Sequence, residues 1–287
     1  MKFILKLSVI SLMLLLIGCG NSQKKSEENN KTDLNNKVII EDTPEIQEDN
    51  SLQRVKDSGK LVLGLDDTFA PMGFRDENGE IVGFDIDLAH EVASRIGVVL
   101  ETKSIDWGRS SSILTNREID VLWNGVNINN ERKVYMNFSK PYLNNMLIIV
   151  KHNGDDTINS IDNLAGKIVG VQKGGNYEQI ANHPIMSKIK ELRQYDENIK
   201  AFTDLQLNKL DAFITDDVFA QYYITEKKAP FTVVHNTPFT DGLYAIGVNK
   251  SDKKLLEEID RILDEMKADG TAAKISEKWF SKDIVLK

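Results

Sequence analysis

The chain has 287 residues, of which 41% are hydrophobic and 28% are charged, a composition that is typical of a soluble globular protein. At about 150 residues per domain, this length predicts two domains. The composition excludes a wholly disordered chain and a multi-span membrane protein. The 36 Lys and Arg residues against 44 Asp and Glu residues give a net charge of -8. This charge disfavours nucleic-acid binding, because an acidic surface repels phosphate groups.

Cysteine and histidine usage argues against crosslinks and metal sites. The single cysteine, Cys19, excludes an internal disulfide and a CxxC metal site. The histidines are scattered without the spacing of metal ligands: His90, His152, His183 and His235. We therefore expect neither a metal nor a cofactor.

The first 18 residues have the pattern of a secretory signal peptide. Lys2 and Lys6 precede an almost entirely apolar run at residues 7–17, which is shorter than the roughly 20 residues that span a bilayer. The four residues Leu-Ile-Gly-Cys that end at Cys19 resemble the lipobox of bacterial lipoproteins, in which the peptide is cut before the cysteine and the thiol receives a lipid. The alternative is an ordinary signal peptide with a chance cysteine. We predict a lipoprotein tethered outside the cytoplasmic membrane, because dual acylation anchors a protein stably.

A polar segment follows the predicted anchor. Residues 19–50 carry many Asn, Lys, Glu and Asp residues and few large apolar ones, so they cannot bury enough surface to offset the entropy lost on ordering. No apolar stripe recurs at helical spacing, which gives a local helix weak support. We interpret this segment as a flexible tether.

From Ser51 onward, short apolar runs alternate with amphipathic stretches. The apolar runs predict strands at residues 61–65, 98–101, 120–123, 147–150, 167–171, 211–215 and 243–248. The amphipathic stretches predict helices at residues 85–96, 111–116, 177–181, 198–209, 217–226, 253–267 and 271–280. An Asn-Gly turn at residues 78–79 predicts a hairpin ahead of the first of these helices. This alternation predicts an α/β fold of open, mostly parallel sheets with helices on both faces.

Residues that follow the predicted strands carry a family resemblance. In open α/β sheets the ligand lies beyond the carboxyl ends of the strands, so these loops are where a site is expected. Three blocks stand out: GFDIDLA at residues 83–89, NGxxIxxER at 124–132 and FSxPY at 138–142. Together, and in this order, they resemble the substrate-binding proteins of polar amino-acid ABC transporters, the bacterial extracellular solute-binding proteins of family 3. The similarity runs from about Ser51 to the C-terminus.

The resemblance implies a two-lobed, periplasmic-binding-protein-like fold of type II. In that fold a two-strand hinge joins the lobes, and the ligand is enclosed between them. We assign lobe 1 to residues 51–143 and 243–287, and lobe 2 to residues 144–242. The chain is expected to cross between the lobes near residues 142–146 and 240–243. The implied protein is a monomer that delivers a polar amino acid to the permease subunits of an ABC transporter.

The resemblance also implies roles for individual residues. Arg132 matches the arginine that grips the α-carboxylate of the ligand, and Asp216 matches the acidic residue that meets the α-ammonium. Phe69 matches an aromatic platform under the ligand side chain, and Asp66 lies where the family reads the distal group. The full set of expected ligand-binding residues is Asp66, Phe69, Trp107, Trp123, Asn124, Gly125, Asn127, Arg132, Gly174, Asn176 and Asp216.

The chemistry of a zwitterion supports these assignments independently. Each charge of an amino acid that leaves water costs several kcal/mol unless it is paired. A guanidinium binds a carboxylate through two parallel hydrogen bonds, and free N–H groups at a helix start also favour an anion. Arg132, Asp216 and the turn at Gly174 supply a cation, an anion and open backbone.

Each residue also has a structural interpretation. Arg132 is compatible with a solvated surface position in a charged run, and Asp216 or Asp217 with a helix cap. Trp107 and Trp123 are compatible with core positions. Further alternatives are packing of Phe69 against Pro71, a merely flexible Gly174-Gly175 turn, and a solvated His90.

The ligand and the reaction class stay open at this point. Asp66, Asn124 and Asn127 favour a polar ligand side chain, which is basic, an amide or cystine-like. Asn127 stands where family members more often have Ser or Thr, which leaves the identity of the ligand in doubt. An enzyme on the same scaffold, similar to cyclohexadienyl or arogenate dehydratases, is the alternative function. It would need an acid or base in the cleft, and the only candidates are Asp66 and Asp216. We therefore expect a binding protein without enzymatic activity.

Overall fold

The computed structural model describes residues 48–234 and 239–287. The predicted signal peptide, Cys19 and all but the last three residues of the predicted tether lie outside the described residues, so those assignments stay predictions. Within the described residues, no helix combines the length and the apolar composition that crossing a membrane requires.

The elements alternate along the chain as the sequence predicts. The strands are β1 (Lys60–Leu65), β2 (Thr68–Phe69), β3 (Gly73–Arg75), β4 (Ile81–Val82), β5 (Val99–Ser104), β6 (Val121–Leu122), β7 (Met136–Phe138), β8 (Leu143–His152), β9 (Ile168–Gln172), β10 (Glu191–Tyr195), β11 (Ala212–Asp216), β12 (Phe231–Val234), β13 (Thr240–Tyr244) and β14 (Gly247–Asn249). The α-helices are α1 (Ser51–Ser58), α2 (Phe84–Ile96), α3 (Ser110–Thr115), α4 (Arg132–Tyr135), α5 (Tyr177–Ile180), α6 (Asn198–Gln206), α7 (Asp217–Thr225), α8 (Lys253–Ala268) and α9 (Thr271–Phe280). Short 3-10 helices lie at Trp107–Arg109, Ile161–Leu164 and Pro184–Ser187.

The first sheet has five strands in the order β5-β1-β6-β14-β7. Strand β1 runs parallel to β5 and β6, whereas β14 runs antiparallel to β6 and β7. Beside it, β2, β3 and β4 form a small antiparallel sheet. The predicted Asn-Gly turn joins β3 to β4, and Gly79 has a φ of 82° there, a conformation that glycine adopts without strain.

The second sheet has six strands and carries more antiparallel pairs. Its order is β10-β9-β11-β8-β12, and β13 also pairs with β8. Strand β9 is parallel to β10 and β11, but β8 is antiparallel to β11, β12 and β13. The chain is therefore an α/β protein with two sheet-rich lobes, as predicted. We call the part built on the first sheet lobe 1 and the part built on the second sheet lobe 2.

Two neighbouring chain segments connect the sheets. The chain leaves the first sheet after β7 and enters the second at β8, and it returns between β13 and β14. Strands β8 and β13 are antiparallel, with Leu143 opposite Tyr244. The sequence predicts one strand over residues 243–248, and this is corrected here. The apolar run is split at Ala245 and Ile246 because its two halves pair in different sheets.

Both faces of each sheet are covered by apolar residues. Along β8, Leu147 and Ile149 face one apolar cluster, whereas Ile148 and Val150 face another, which is the alternation of a strand buried on both sides. The second of these clusters also contains residues of lobe 1, and Phe69 stacks on Phe219 across the lobes with ring centroids 5.4 Å apart. The lobes thus share part of their core beside the loops described next.

Candidate ligand-binding site

A cavity lies where loops of the two lobes meet. From lobe 1 it is lined by strand β2, by the 3-10 helix after β5 and by the segment from the end of β6 to the start of α4. From lobe 2 it is lined by residues at the ends of β9 and β11 and in the turn after β9. Its lining residues are Phe69, Trp107, Asn124, Gly125, Asn127, Arg132, Gln172, Gly175, Asn176 and Asp216. This is the edge of the strands where an open α/β sheet places a ligand.

Arg132 supplies a buried cation to the cavity. It is the first residue of α4, where its N–H donates to Oδ1 of Asn129 at 2.8 Å, and only 5% of its surface is exposed. The guanidinium donates to the carbonyl of Asn127 at 3.0 Å and, across the lobes, to that of Gly174 at 3.3 Å. It also lies 5.2 Å from the ring centroid of Trp107, within the range of a cation–π interaction. A solvated surface position for Arg132 is therefore excluded.

Asp216 supplies a buried anion from the other lobe. It ends β11 and is 3% exposed. Its Oδ2 accepts from Asn176 at 2.7 Å, and its Oδ1 accepts from Asn127, Asn145 and the hydroxyl of Tyr244 at 3.1, 2.5 and 2.8 Å. Its side chain makes no capping hydrogen bond to α7. These four donors are neutral, so they solvate the carboxylate without cancelling its charge.

Asp66 and Gln172 join the lobes at a second point. Nε2 of Gln172 donates to Oδ2 of Asp66 at 2.8 Å, and Oδ1 of Asp66 accepts from the N–H and the hydroxyl of Thr68 at 2.9 and 2.6 Å. The N–H of Asp66 donates to Oδ1 of Asn124. Burial raises the pKa of the Asp66 carboxyl above its ordinary value. Asp66 is thus a buried acceptor whose hydrogen-bond donors are neutral.

Two glycines let the backbones approach closely. Gly125 has a φ of 60°, and a Cβ there would lie 2.9 Å from Cε1 of Phe69. Gly174 has a φ of 69°, and a Cβ there would lie 2.7 Å from the backbone N of Gly108 in lobe 1. Both positions therefore require glycine for the conformation and for the space.

The backbone N–H groups of these glycines are already engaged. The N–H of Gly125 donates to Oδ2 of Asp85 at 2.7 Å, and the N–H of Gly174 donates to Oε1 of Glu178 at 3.2 Å. The expectation that Gly174 offers a free N–H to an anion is therefore wrong. For Gly125, the carbonyl is the backbone group that remains for the expected contact with the ligand.

The structure gathers most of the predicted residues but not Trp123. Asp66 and Gly174 lie directly behind the cavity, where they bond Gln172 and Arg132. Trp123 is fully buried, and its ring packs 6.3 Å from that of Tyr142 in the apolar core. Asn124, in the bend that follows, lines the cavity, whereas Trp123 does not. The assignment of Trp123 as a ligand-binding residue is corrected to a core position.

Sequence reasoning missed Gln172, Asn145 and Tyr244 as residues of the site, and it considered Gly175 only as part of the turn at Gly174. Gln172 and Gly175 line the cavity, whereas Asn145 and Tyr244 hold Asp216. Gln172 carries a signal, because it is a polar residue that directly ends an apolar strand. Asn145 and Tyr244 carry none, since they reach Asp216 only through the pairing of β8 with β13.

A larger groove lies beside helix α7 and the C-terminal segment. Tyr222 and Asp217 line it from lobe 2, and Trp279 and Lys282 from lobe 1. Lys282 is exposed and Asp217 is half-buried, so water already solvates these charges. The cavity between Arg132 and Asp216 is the better candidate because its charges are buried.

The chain is similar to proteins that bind amino acids. The family model of the bacterial extracellular solute-binding proteins, family 3, matches residues 61–282. The L-cystine-binding protein TcyJ of Escherichia coli K12 is 32% identical over 234 residues, which cover 81% of this chain and 87% of that protein.

The solved structures that this chain resembles are also amino-acid-binding proteins. A substrate-binding protein of an ABC uptake transporter from Streptococcus pneumoniae, with bound histidine, is 30% identical at a TM-score of 0.78 and covers 83% of this chain and 99% of its own. An ancestral arginine-binding protein bound to arginine is 40% identical at a TM-score of 0.73 and covers 77% of this chain and 98% of its own.

Proposed function

Because the chain belongs to the bacterial extracellular solute-binding proteins of family 3, we propose that it is the extracytoplasmic receptor of an ABC transporter. It binds a polar amino acid between its two lobes, closes around it and delivers it to a membrane permease for import. Closure is a hinge motion whose cost the ligand offsets by contacting both lobes.

One observation carries this proposal. Arg132 and Asp216 line the same cavity from opposite lobes, both are at least 95% buried, and their hydrogen-bond partners among the described residues are neutral. Two buried charges without countercharges are costly. An amino-acid zwitterion neutralises both at once, with its carboxylate on Arg132 and its ammonium on Asp216.

The strand pairing supports the lobe boundaries that we propose. We place the hinge at the start of β8 and the end of β13, so that lobe 1 comprises residues 51–143 and 243–287 and lobe 2 comprises residues 144–242. In support, Leu143 pairs with Tyr244, and the neighbouring strands β7 and β14 both belong to the first sheet.

The ligand side chain is a hydrogen-bond donor, and a basic one fits best. Asp66 is a buried carboxylate whose donors, Thr68 and Gln172, are neutral, so a guanidinium or ammonium group would offset its desolvation. The relatives with bound arginine and histidine are consistent with a basic ligand side chain, whereas the L-cystine-binding relative favours a cystine-like ligand. Amide and cystine-like ligands remain the alternatives to be tested.

A thermal-shift panel of the twenty amino acids and L-cystine tests the proposal. A true ligand at 100 times its Kd stabilises the folded protein by about 2.7 kcal/mol, so it raises the melting temperature clearly. We expect a shift with L-arginine or another basic amino acid. A panel without any shift would refute the receptor function.

The enzyme alternative needs a proton-transfer group in the cavity, and the candidates are Asp216 and Asp66, whose pKa is raised by burial. Asp216 is surrounded by donors on both oxygens, and Asp66 bonds Thr68 and Gln172. We therefore propose that the protein is not an enzyme. Incubation with prephenate and with arogenate should give no product, and formation of phenylpyruvate or phenylalanine would contradict this.

We also propose that Cys19 carries a lipid anchor. The support is its position directly after the apolar N-terminal run. Replacement Cys19→Ser should move the protein from the membrane fraction to the medium or periplasm, and an unchanged distribution would refute the anchor. Ser22→Ala, three residues further on, is the control and should leave the distribution unchanged.

A further inference from the structure

Asp85 lies directly behind the cavity and contacts two functional parts of the molecule. It is the second residue of α2, within the GFDIDLA block, and its surface is fully buried. A single oxygen, Oδ2, accepts hydrogen bonds from the N–H of Gly125 at 2.7 Å and from the hydroxyl of Tyr142 at 2.9 Å. The role of this block in the receptor is not explained by the ligand contacts described above.

The two donors belong to the cavity wall and to the hinge. Gly125 lines the cavity next to Asn124. Tyr142 directly precedes β8, which leads into the second sheet, and its backbone N–H donates to the carbonyl of Tyr244 at 3.0 Å. The carbonyl of Tyr142 in turn accepts from Leu286 at 2.9 Å. Asp85 therefore joins the wall of the cavity to the point where the chain enters the hinge.

The buried carboxylate of Asp85 lowers the stability of the fold. Burial raises the pKa of the Asp85 carboxyl to about 7. Its Oδ1 has no hydrogen-bond partner among the described residues, and the same holds for the indole Nε1 of Trp123, which faces the same carboxyl and lowers its pKa. Asparagine has nearly the same shape, and its carbonyl oxygen would accept from Gly125 and Tyr142 without a buried charge, whereas its NH2 group would face the indole N–H of Trp123. The charge therefore does not serve stability.

The charged groups around α2 do not compensate Asp85. Lys278 of α9 bonds Asp87, and Glu265 and Asp269 pair with Arg95 at the far end of the helix. The titratable groups that face Asp85 are the phenols of Tyr142 and Tyr244, and burial raises the pKa of both well above its ordinary value. Since neither phenol is a cation, the carboxylate is held by its two hydrogen bonds and by the indole N–H of Trp123 that faces it.

We propose that Asp85 is a positioning residue for ligand binding, which fixes the cavity wall at Gly125 relative to the hinge entry at Tyr142. Hydrogen bonds to a carboxylate are about twice as strong as those to a neutral acceptor, so the ionised form holds these two segments most firmly. The cost to stability is balanced by a preorganised cavity, because a site already in its binding geometry loses less free energy when the ligand binds. This inference rests on the proposed receptor function.

The test separates binding from folding in the full-length chain. Wild type, Asp85→Asn, Tyr142→Phe, the double variant and Asp87→Asn are titrated by calorimetry with L-arginine and with L-cystine at pH 8, and their melting temperatures are measured without ligand. Asp87→Asn is the matched control, because it removes the same charge two residues away and contacts Lys278 and Trp279 instead of the site.

We expect Asp85→Asn to raise the Kd at least tenfold while its melting temperature at pH 8 does not fall. Tyr142→Phe should also weaken ligand binding. The double variant should bind ligand as well as Asp85→Asn alone, because both substitutions break the same link between the cavity wall and the hinge. Asp87→Asn should keep its Kd within twofold of the wild type.

Three outcomes would overturn the inference. They are an Asp85→Asn Kd within twofold of the wild type, a loss of affinity that accompanies a lower melting temperature, and additive effects of the two substitutions. If the wild type itself binds neither probe nor any amino acid of the panel, the receptor function fails and the inference falls with it. That result differs from one in which both the wild type and Asp85→Asn bind equally well.

Discussion

Individual charges in the cavity are solvated by the protein but not neutralised. The guanidinium of Arg132 donates to two backbone carbonyls, whereas Asp216 accepts from three amides and a phenol. If Arg132 and Asp216 formed an ion pair with each other, a ligand would have to break it. Because neutral groups hold them instead, each charge stays available to the opposite charge of a zwitterion.

Replacement Arg132→Ala should therefore weaken ligand binding by about 2–5 kcal/mol, the usual loss when one member of a buried charge pair is removed. Arg132→Lys should recover only part of this, because an ammonium cannot form two parallel bonds to a carboxylate. Calorimetric titration measures both effects. Lys133→Ala is the control, since Lys133 is exposed beside it. An unchanged Kd for Arg132→Ala would remove Arg132 from the site.

The raised pKa of Asp85 should make the stability of the protein depend on pH. Its pKa is raised from 3.8 to about 7 by burial, so between these values the unfolded chain has released the proton and the folded chain keeps it. Stability then falls as the pH rises, by about 1.4 kcal/mol per unit and about 4 kcal/mol over the whole window. Above pH 7 this contribution is constant.

Urea unfolding of the wild type and Asp85→Asn between pH 4 and 8 measures this effect. The difference in unfolding free energy should shift in favour of Asp85→Asn as the pH rises through this range. The raised pKa of Asp66 contributes equally to both proteins and cancels in the difference. Parallel pH profiles would contradict a buried carboxyl that titrates near pH 7.

Among the elements, most of the apolar strands and amphipathic helices were predictable, whereas several short or partly exposed strands were not. The helix predicted at residues 85–96 is Phe84–Ile96, and the strand predicted at 61–65 is Lys60–Leu65. Strand Glu191–Tyr195 was missed because it lies at the edge of its sheet and is partly exposed, so it lacks a continuous apolar run. Its position depends on its pairing with β9, which is a long-range property.

The turn after β9 brings the backbones of the two lobes into contact at Gly174. A Cβ added there would lie 2.7 and 2.8 Å from backbone atoms of Gly108 and Trp107. Gly174→Ala should therefore hold the lobes apart and weaken ligand binding about tenfold or more, since overpacking costs ~1–3 kcal/mol. The Kd from calorimetry checks this.

Gly166→Ala is the matched control for this substitution. Gly166 lies just before the same strand and has a φ of 74°, but a Cβ there would meet no atom within 4 Å. It carries the same backbone strain without the clash, so its melting temperature should fall while its Kd stays near that of the wild type. Equal Kd values for Gly174→Ala and Gly166→Ala would show that the contact does not limit closure.

For the whole molecule, the proposed discontinuous lobe 1 rests on the family resemblance and on the strand pairing, because local sequence patterns do not indicate it. Hydrophobic periodicity predicts one strand across residues 243–248, whereas the chain changes sheets inside this run, at Ala245 and Ile246. Local pattern cannot show which partner a strand will pair with. The same limit applies to Asn145 and Tyr244, whose contacts with Asp216 exist only because β8 and β13 lie side by side in the hinge.

Contacts between the lobes combine apolar packing, such as the stacked rings of Phe69 and Phe219, with hydrogen bonds between polar groups at the cavity. Arg132 reaches Gly174, Gln172 reaches Asp66 and Asn127 reaches Asp216. Single hydrogen bonds of this kind contribute only about 0.5–1.5 kcal/mol each. The closed form also keeps the charges of Arg132 and Asp216 buried without countercharges, which is costly until a ligand neutralises them. We therefore expect the lobes to open in solution and a ligand to shift the population towards closure.

Small-angle X-ray scattering should show a smaller radius of gyration at a saturating concentration of the amino acid found in the panel. Gly174→Ala should remain expanded under the same conditions while Gly166→Ala contracts, and a radius of gyration that does not respond to ligand in the wild type would refute closure by the hinge.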